Sequence, residues 1–337
     1  MPADLSPAAE SALRELEDAG ALGLAVTEAA AGRLPAPVPG ASGIVQTAVH
    51  RRGPIPTEGL EPFDVLLSAD PQAPRPWVGA PAEGLDAAFA RLEKAAARQP
   101  VAAAVAAQVL RMSLSLTFEQ ALALESLAYS MLLASEGFKA WRAANPPRRR
   151  PPELAPRVRV ERQGDVLSIR LTRAAARNAV DARMRDALAE ALEFARIDPE
   201  LAPVVLSGEG PAFSAGGDLD EFGQADDPGR AHAIRTLRSA TGCVAAIAGR
   251  VTARLHGACV GAGIEIPAAA GRVLVRADTI CRLPEVAMGL IPGAGGTASI
   301  PRRIGRQRAC YMAIAGAEVD AETALGWGLA DALDEGP

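Results

Sequence analysis

Three glycine-rich stretches decide the reading of this chain: Ala212–Asp218 (AFSAGGD), His256–Glu265 (HGACVGAGIE) and Leu283–Thr297 (LPEVAMGLIPGAGGT). The first two each follow a strand-like run, PVVLS at 203–207 and a second at 251–255. Their small residues let a backbone N–H approach a ligand closely at the mouth of a sheet. Two such nitrogens converging on one point would form an oxyanion hole. The third stretch supplies Glu285, 20 positions after Glu265. Two carboxylates beside such a hole can hold one water, one taking its proton while the other delivers a proton to carbon. A lone glutamate is ordinarily a solvated or paired surface residue, and the joint pattern is what argues for hydration of an activated carbonyl compound. Nucleotide fingerprints do not fit: GEGPAF (Gly208–Phe213) has Phe213 in place of the third glycine, and no GxxxxGK[ST] occurs.

Around these stretches the pattern is that of an α/β domain. RVRVER and VLSIRLT alternate about Gln163-Gly164-Asp165 and predict a hairpin. A helix is expected at about 180–195 and one long helix within 229–248. Strands interleaved with helices mean an α/β class. On the N-terminal side, helices are expected from Leu85 to about Ala97, after Pro100, and from Thr117, where TFEQ forms a capping box. The run NPPRRRPPELAP (145–156) cannot hold a helix, because its prolines lack donors and bias their predecessors to extended geometry. The expected organisation is therefore an unassigned segment 1–84, a helical unit 85–145, a linker 146–156 and a core 157–337. Within the first segment only helical spacing at 6–21 and a strand-like PFDVLLSA at 62–69 stand out.

Composition narrows the function. The 337 residues are 49% hydrophobic and 22% charged with a net charge of -5, an ordinary globular balance without the basic stripe of a nucleic-acid or anionic-membrane binder. All lysines and arginines except Lys94 and Lys139 are arginine, which reads as base-composition bias. Cys243, Cys259, Cys281 and Cys310 form no CxxC pair and are expected to be buried free thiols, and the three histidines have no metal-ligand spacing. No metal site is therefore expected. The acidic start and the absence of a long uncharged apolar run argue for a cytoplasmic protein.

The segments AFSAGGDL, HGACVGAGIE and LPEVAMGLIPGAGGT, in this order and spacing over residues 157–333, resemble the crotonase (enoyl-CoA hydratase/isomerase) family. The resemblance implies a ββα spiral core. It also implies that the N–H groups of Gly217 and Ala262 bind the thioester oxygen and that Glu265 and Glu285 are the paired acid–base carboxylates. In that scheme Glu285 exchanges the proton at C2, Glu265 activates the water added at C3, and Gly293 N–H helps place the water. Ala215 and Leu219 match positions lining the adenine pocket of coenzyme A. Asp220 stands where many members carry a phosphate-binding lysine. Gly328–Leu333 (GLADAL) resembles the strand after which the family continues into C-terminal helices. Here those helices resemble 89–114 and Leu124–Arg142 instead, so the chain reads as circularly permuted, with the helical subdomain placed N-terminally and Lys139 near the CoA phosphates. No cofactor is implied beyond coenzyme A as part of the substrate, and a homotrimer or hexamer is implied by resemblance alone. The substrate is an enoyl thioester of CoA or of acyl-carrier protein. Double-bond isomerisation or thioester hydrolysis in the same site stays open, as does a non-catalytic relative that binds acyl-CoA or a partner protein. A Clp-type serine protease, a cousin of this fold, would need a histidine partner for Ser214, and none stands in a recognisable motif.

Overall fold

The structure, a computed structural model, describes residues 22–30, 32–38, 43–80, 84–148 and 153–336. The helical spacing at 6–21 and residues 149–152 of the linker lie outside them. The expected hairpin is β5 (Val158–Gln163) and β6 (Val166–Leu171), paired antiparallel, with Gly164 turning at φ 62°. From β6 the chain winds through α5 (Ala182–Ile197), β7 (Val204–Gly208), α6 (Pro228–Leu237), α7 (Ala240–Ala246) and β8 (Val251–Leu255). It then runs through β10 (Arg272–Val275) to β13 (Ala332–Leu333). From β6 onward the neighbours in this sheet pair in parallel, in the order β13-β10-β8-β7-β6-β5. Parallel strands need crossovers, and α5 supplies the one from β6 to β7 while α6 and α7 supply the one from β7 to β8.

A second sheet is built from the strands that leave the first. β9 (Ala258–Val260) follows β8, β11 (Ile280–Arg282) follows β10, and β12 (Val319–Asp320) closes the order β12-β11-β9. Gly257, at φ +55°, makes the corner between β8 and β9; a Cβ there would lie 2.2 Å from the Pro211 carbonyl. Each turn of this spiral brings one glycine-rich stretch to the same end of the core. The isolated bridge Ser214↔Cys259 lays the first stretch beside the second.

The long helix expected within 229–248 is two helices. α6 begins on the Asp227 cap with Pro228 in its first turn, and α7 begins on Ser239, whose side chain accepts from Gly242 N–H. A serine bonded to the backbone ahead of it starts a new helix rather than continuing the old one. The thiols are free, but Cys243 on α7 is half-buried, unlike Cys259, Cys281 and Cys310.

Residues 23–79 hold a sheet that the sequence pattern did not predict as a whole. β1 (Gly23–Glu28), β2 (Ile44–His50), β3 (Val65–Ser68) and β4 (Val78–Gly79) pair in parallel in that order. Next come α1 (Leu85–Arg98), α2 (Pro100–Ser113), α3 (Phe118–Leu133) and α4 (Glu136–Ala144). α3 starts with the expected capping box: Thr117 Oγ1 accepts from Gln120 N–H, and Gln120 Oε1 accepts from Thr117 N–H. These helices bury their apolar faces with the spiral, because Leu92, Ala103, Val109 and Leu132 belong to the same hydrophobic cluster as Leu206, Ile264 and Ile300. α9 (Gly296–Ile304) and α10 (Arg306–Ala315) lie at that junction, and α11 (Ala321–Trp327) follows on the Asp320 cap. Among the described residues no helix is long and apolar enough to cross a membrane.

Candidate active site

The three glycine-rich stretches converge on a cavity of about 240 Å³, which is lined by Gly217, Ala262, Glu265, Glu285 and Gly293. Close packing of the first two stretches depends on glycine. A Cβ on Gly216 would lie 2.7 Å from the Val260 carbonyl, and one on Gly263 would lie 2.4 Å from the Ser214 carbonyl. No oxygen among the described residues accepts the N–H of Gly217 or of Ala262. Ala262 is the first residue of the single helical turn α8 (Ala262–Glu265), where an N–H has no intrahelical acceptor. Two donors without acceptors therefore face one cavity.

Both glutamates are buried, Glu265 at 2% and Glu285 at 7% exposure, and they flank Gly261. A Cβ on that glycine would fall 2.3 Å from Glu285 Oε1 and 3.6 Å from Glu265 Oε1. Their surroundings differ. Glu265 Oε2 accepts from Ala294 N–H at 2.7 Å and Gly296 N–H at 2.9 Å. Burial pushes its carboxyl up to about 7, and the two N–H donors oppose that rise. Glu285 Oε2 has no hydrogen-bond partner among the described residues. Burial, followed by the neighbouring charge of Glu265, holds the Glu285 carboxyl well above the usual range. The two carboxyls are thus set apart by environment, the arrangement that assigns an acid and a base.

A third buried carboxyl completes the cavity. Glu125 on α3 is 2% exposed. Its Oε1 accepts from Gly295 N–H at 2.6 Å; its Oε2 accepts from Thr297 N–H at 2.8 Å and Thr297 Oγ1 at 2.7 Å. Successive N–H groups of 294–297 thus alternate between Glu265 and Glu125. Burial first, and then the charge of Glu265, raises Glu125 to about 8. One turn further along α3, the Tyr129 ring lies against Gly293, where a Cβ would come within 2.3 Å of it. Arg235 on α6 sits 5.1 Å above the same ring and donates to Ser126 and Ser130 of α3. Glu125 and Tyr129 were not singled out from the sequence, although Glu125 is the one charged residue in the run 121–133.

Three expected substrate-binding residues do not line this cavity. Ala215 is half-buried, its N–H given to the Arg177 carbonyl at 2.8 Å, and Leu219 is exposed. Lys139 points to solvent and pairs with Glu136, one turn back on α4, at 2.7 Å. α4 buries Phe138, and Arg142, four residues further on, reaches the chain just after the first stretch. Its Nη2 donates to the carbonyls of Leu219 at 2.6 Å and Phe222 at 2.9 Å. Asp220 pairs with Arg148 at 3.2 Å. Ser214 is buried and donates to the Asn178 carbonyl at 2.8 Å, while His256 bonds the Gly210 carbonyl. No serine–histidine pair forms there.

The family described as Enoyl-CoA hydratase/isomerase matches residues 161–335. Among curated proteins, the chain is 33% identical over 175 residues to the mevalonyl-coenzyme A hydratase of Beauveria bassiana, covering 50% of this chain and 62% of that protein. It is 32% identical over 170 residues to the 2,3-dehydroadipyl-CoA hydratase of Escherichia coli, covering 50% of this chain and 66% of that one. The chain thus spans less than two thirds of the length of these relatives. Among solved structures, the enoyl-CoA hydratase of Thermoplasma volcanium is 30% identical, with 54% of this chain and 73% of that chain covered and a TM-score of 0.49.

Proposed function

The chain belongs to the enoyl-CoA hydratase/isomerase family, and from that premise we propose that it adds water to, or removes it from, the C2–C3 bond of an enoyl-CoA thioester. The observation that carries this reading is the pair of differently held glutamates flanking Gly261, beside the acceptor-less N–H groups of Gly217 and Ala262. The names of the two curated relatives, both CoA hydratases, point the same way.

In this reading the thioester oxygen accepts from Gly217 and Ala262 N–H. These donors stabilise the enolate that forms when C3 is attacked, and loss of one such donor costs about 3–4 kcal/mol of transition-state stabilisation. Glu265 is held by two N–H donors that favour its charged form, so it takes a proton from the water whose oxygen bonds to C3. Glu285 is buried, its Oε2 has no hydrogen-bond partner among the described residues, and it faces the charge of Glu265, so it stays protonated and gives its proton to C2. The C2–C3 double bond becomes single, and water is consumed as a C3 hydroxyl and a C2 hydrogen. Gly293 lines the same cavity, and in this reading its N–H orients the water. The scheme requires no metal or redox group. Isomerisation or thioester hydrolysis needs only one of the carboxyls, and the presence of both is what favours hydration.

The same reading makes α1 to α4 the helical cap of the site, moved ahead of the core by circular permutation. Its support is that α3 supplies Glu125 and Tyr129 to the cavity. Assembly as a homotrimer or hexamer in the cytoplasm, and the choice of CoA over a carrier protein, belong to the same proposal. The test is incubation of crotonyl-CoA with the wild type, Glu265→Gln and Glu285→Gln, with mass detection of the product. The expected result is a hydrated thioester from the wild type and a loss of about 10²–10⁴-fold in each variant. A shifted double bond, free acid, or undiminished variants would overturn it.

A further inference from the structure

A second cavity, larger than the one that holds the glutamates, is formed among the described residues. It measures about 1350 Å³ and lies where the 71–80 loop, α1, the end of β11, α10 and α11 meet. Its walls carry six cations, Arg75, Arg91, Lys94, Arg98, Arg282 and Arg308, against the carboxylates of Glu318 and Glu322. The cations come from four separate segments, so no single helix face gathers them. Arg282 pairs with Glu318 at 3.9 Å, and low-dielectric walls around the remaining excess of positive charge focus the field inside such a cleft.

Arg308 is the informative member. It is 4% exposed, yet its hydrogen-bond partners are neutral: the carbonyls of Trp77 at 2.9 Å and Ala73 at 3.4 Å, with the Trp327 ring 5.2 Å from its guanidinium carbon. Burial, followed by the charge of Arg75, lowers it to about 10. Arg75 gives Nη1 to the Arg303 carbonyl at 3.0 Å, also a neutral acceptor. Burying a guanidinium without a carboxylate, close to a second one, is costly. An anion entering the cavity would relieve that cost, and the guanidinium fork matches phosphate oxygens two at a time.

We propose that this cavity is a binding site for a phosphate-bearing small molecule of nucleotide size, separate from the glutamate cavity. The volume exceeds what a lone inorganic anion fills and suits a ligand with an organic part as well. Lys94 and Arg98 are exposed on α1 and form its cationic wall, while Arg308 forms its floor.

The test is isothermal titration of the full chain with inorganic diphosphate, ADP and citrate, in wild type, in Lys94→Glu/Arg98→Glu and in Arg308→Lys. Hydration of crotonyl-CoA serves as the control for folding. The expected result is binding of diphosphate and tighter binding of ADP, both weakened by salt. The double variant, changed only at exposed positions, should bind both about tenfold or more weakly while its hydration rate stays at the wild-type level. Diphosphate bound as tightly as ADP would overturn the nucleotide-sized ligand, and citrate bound best would overturn the phosphate preference. No heat with any probe at millimolar concentration, or equal affinity in wild type and double variant, would overturn the site. A change of oligomeric state in the double variant without anion binding by the wild type would also overturn it and make this face a subunit contact.

Discussion

Replacing Glu125 by glutamine tests how the third carboxyl serves the site. The change keeps the shape of the side chain and removes its proton and its charge. Three donors converge on the two oxygens of Glu125, from Gly295 N–H and from the N–H and hydroxyl of Thr297. An amide must turn its NH₂ toward at least one of them, and a buried donor left unanswered costs about 1–3 kcal/mol. The pH dependence has a definite sign. Burial and Glu265 raise the folded-state value from the ordinary 4.5 to about 8, so the folded chain holds this proton more tightly than the unfolded one. The resulting stability is fully present below the unfolded value and is lost as pH rises through about 8. At about 1.4 kcal/mol per pH unit, the loss is bounded on the order of 5 kcal/mol. Glu125→Gln has no such proton to lose. It should therefore be less stable than wild type by about 1–3 kcal/mol at acidic pH, with the gap closing or reversing as the medium turns alkaline. Urea denaturation across the range, followed by helix circular dichroism, measures both curves. A gap that stays constant or widens with pH would refute the reasoning, because it would mean that the three donors keep Glu125 ionised throughout.

The wild-type kcat/KM for hydration should fall as pH drops through about 7, where Glu265 takes up its proton; a flat profile across neutrality would remove Glu265 as the base. Gly293→Ala would drive a methyl to 2.3 Å from the Tyr129 ring. Hydration should then collapse, with a stability cost of about 1–3 kcal/mol. Adding Tyr129→Ala should recover part of both, and no recovery would show that the clash is not the cause. Arg111→Ala removes two bonds to Asp64, at 2.8 and 2.5 Å, and leaves a carboxylate that is 1% exposed with Arg306 at 3.6 Å. A loss of about 3–5 kcal/mol is expected by chemical denaturation; a loss below about 1 would mean that Arg306 substitutes for it.

What could be read from the sequence divides by how local its cause is. The hairpin at Gly164, the Thr117 capping box and the three glycine-rich stretches are fixed by residues within a few positions of one another. The parallel sheet of β1 to β4 is not. In β2 residues 45–50 are all buried, and Gln46, Thr47 and His50 are among them, so apolar and polar residues do not alternate along the run and a parallel strand covered on both sides gives no period-2 signal. Ser239 breaking one expected helix into two turns on a single side-chain bond.

Glu125 shows the same division inside the site. Its charge within an apolar helix was visible, but its partner Gly295 lies 170 positions away. Consecutive N–H groups in the 294–297 turn point to opposite sides, so Glu265 can claim only Ala294 and Gly296. The N–H groups of Gly295 and Thr297 are left facing α3, and both residues are buried. Without a carboxyl on that helix, two donors would lie buried and unanswered, at a cost of about 1–3 kcal/mol each. The turn would then relax, and with it the two bonds that set Glu265 apart from Glu285. In the proposed scheme the distinction between base and acid therefore depends on a helix that precedes the core in the chain, which makes residues 117–133 part of the site as well as part of its cap.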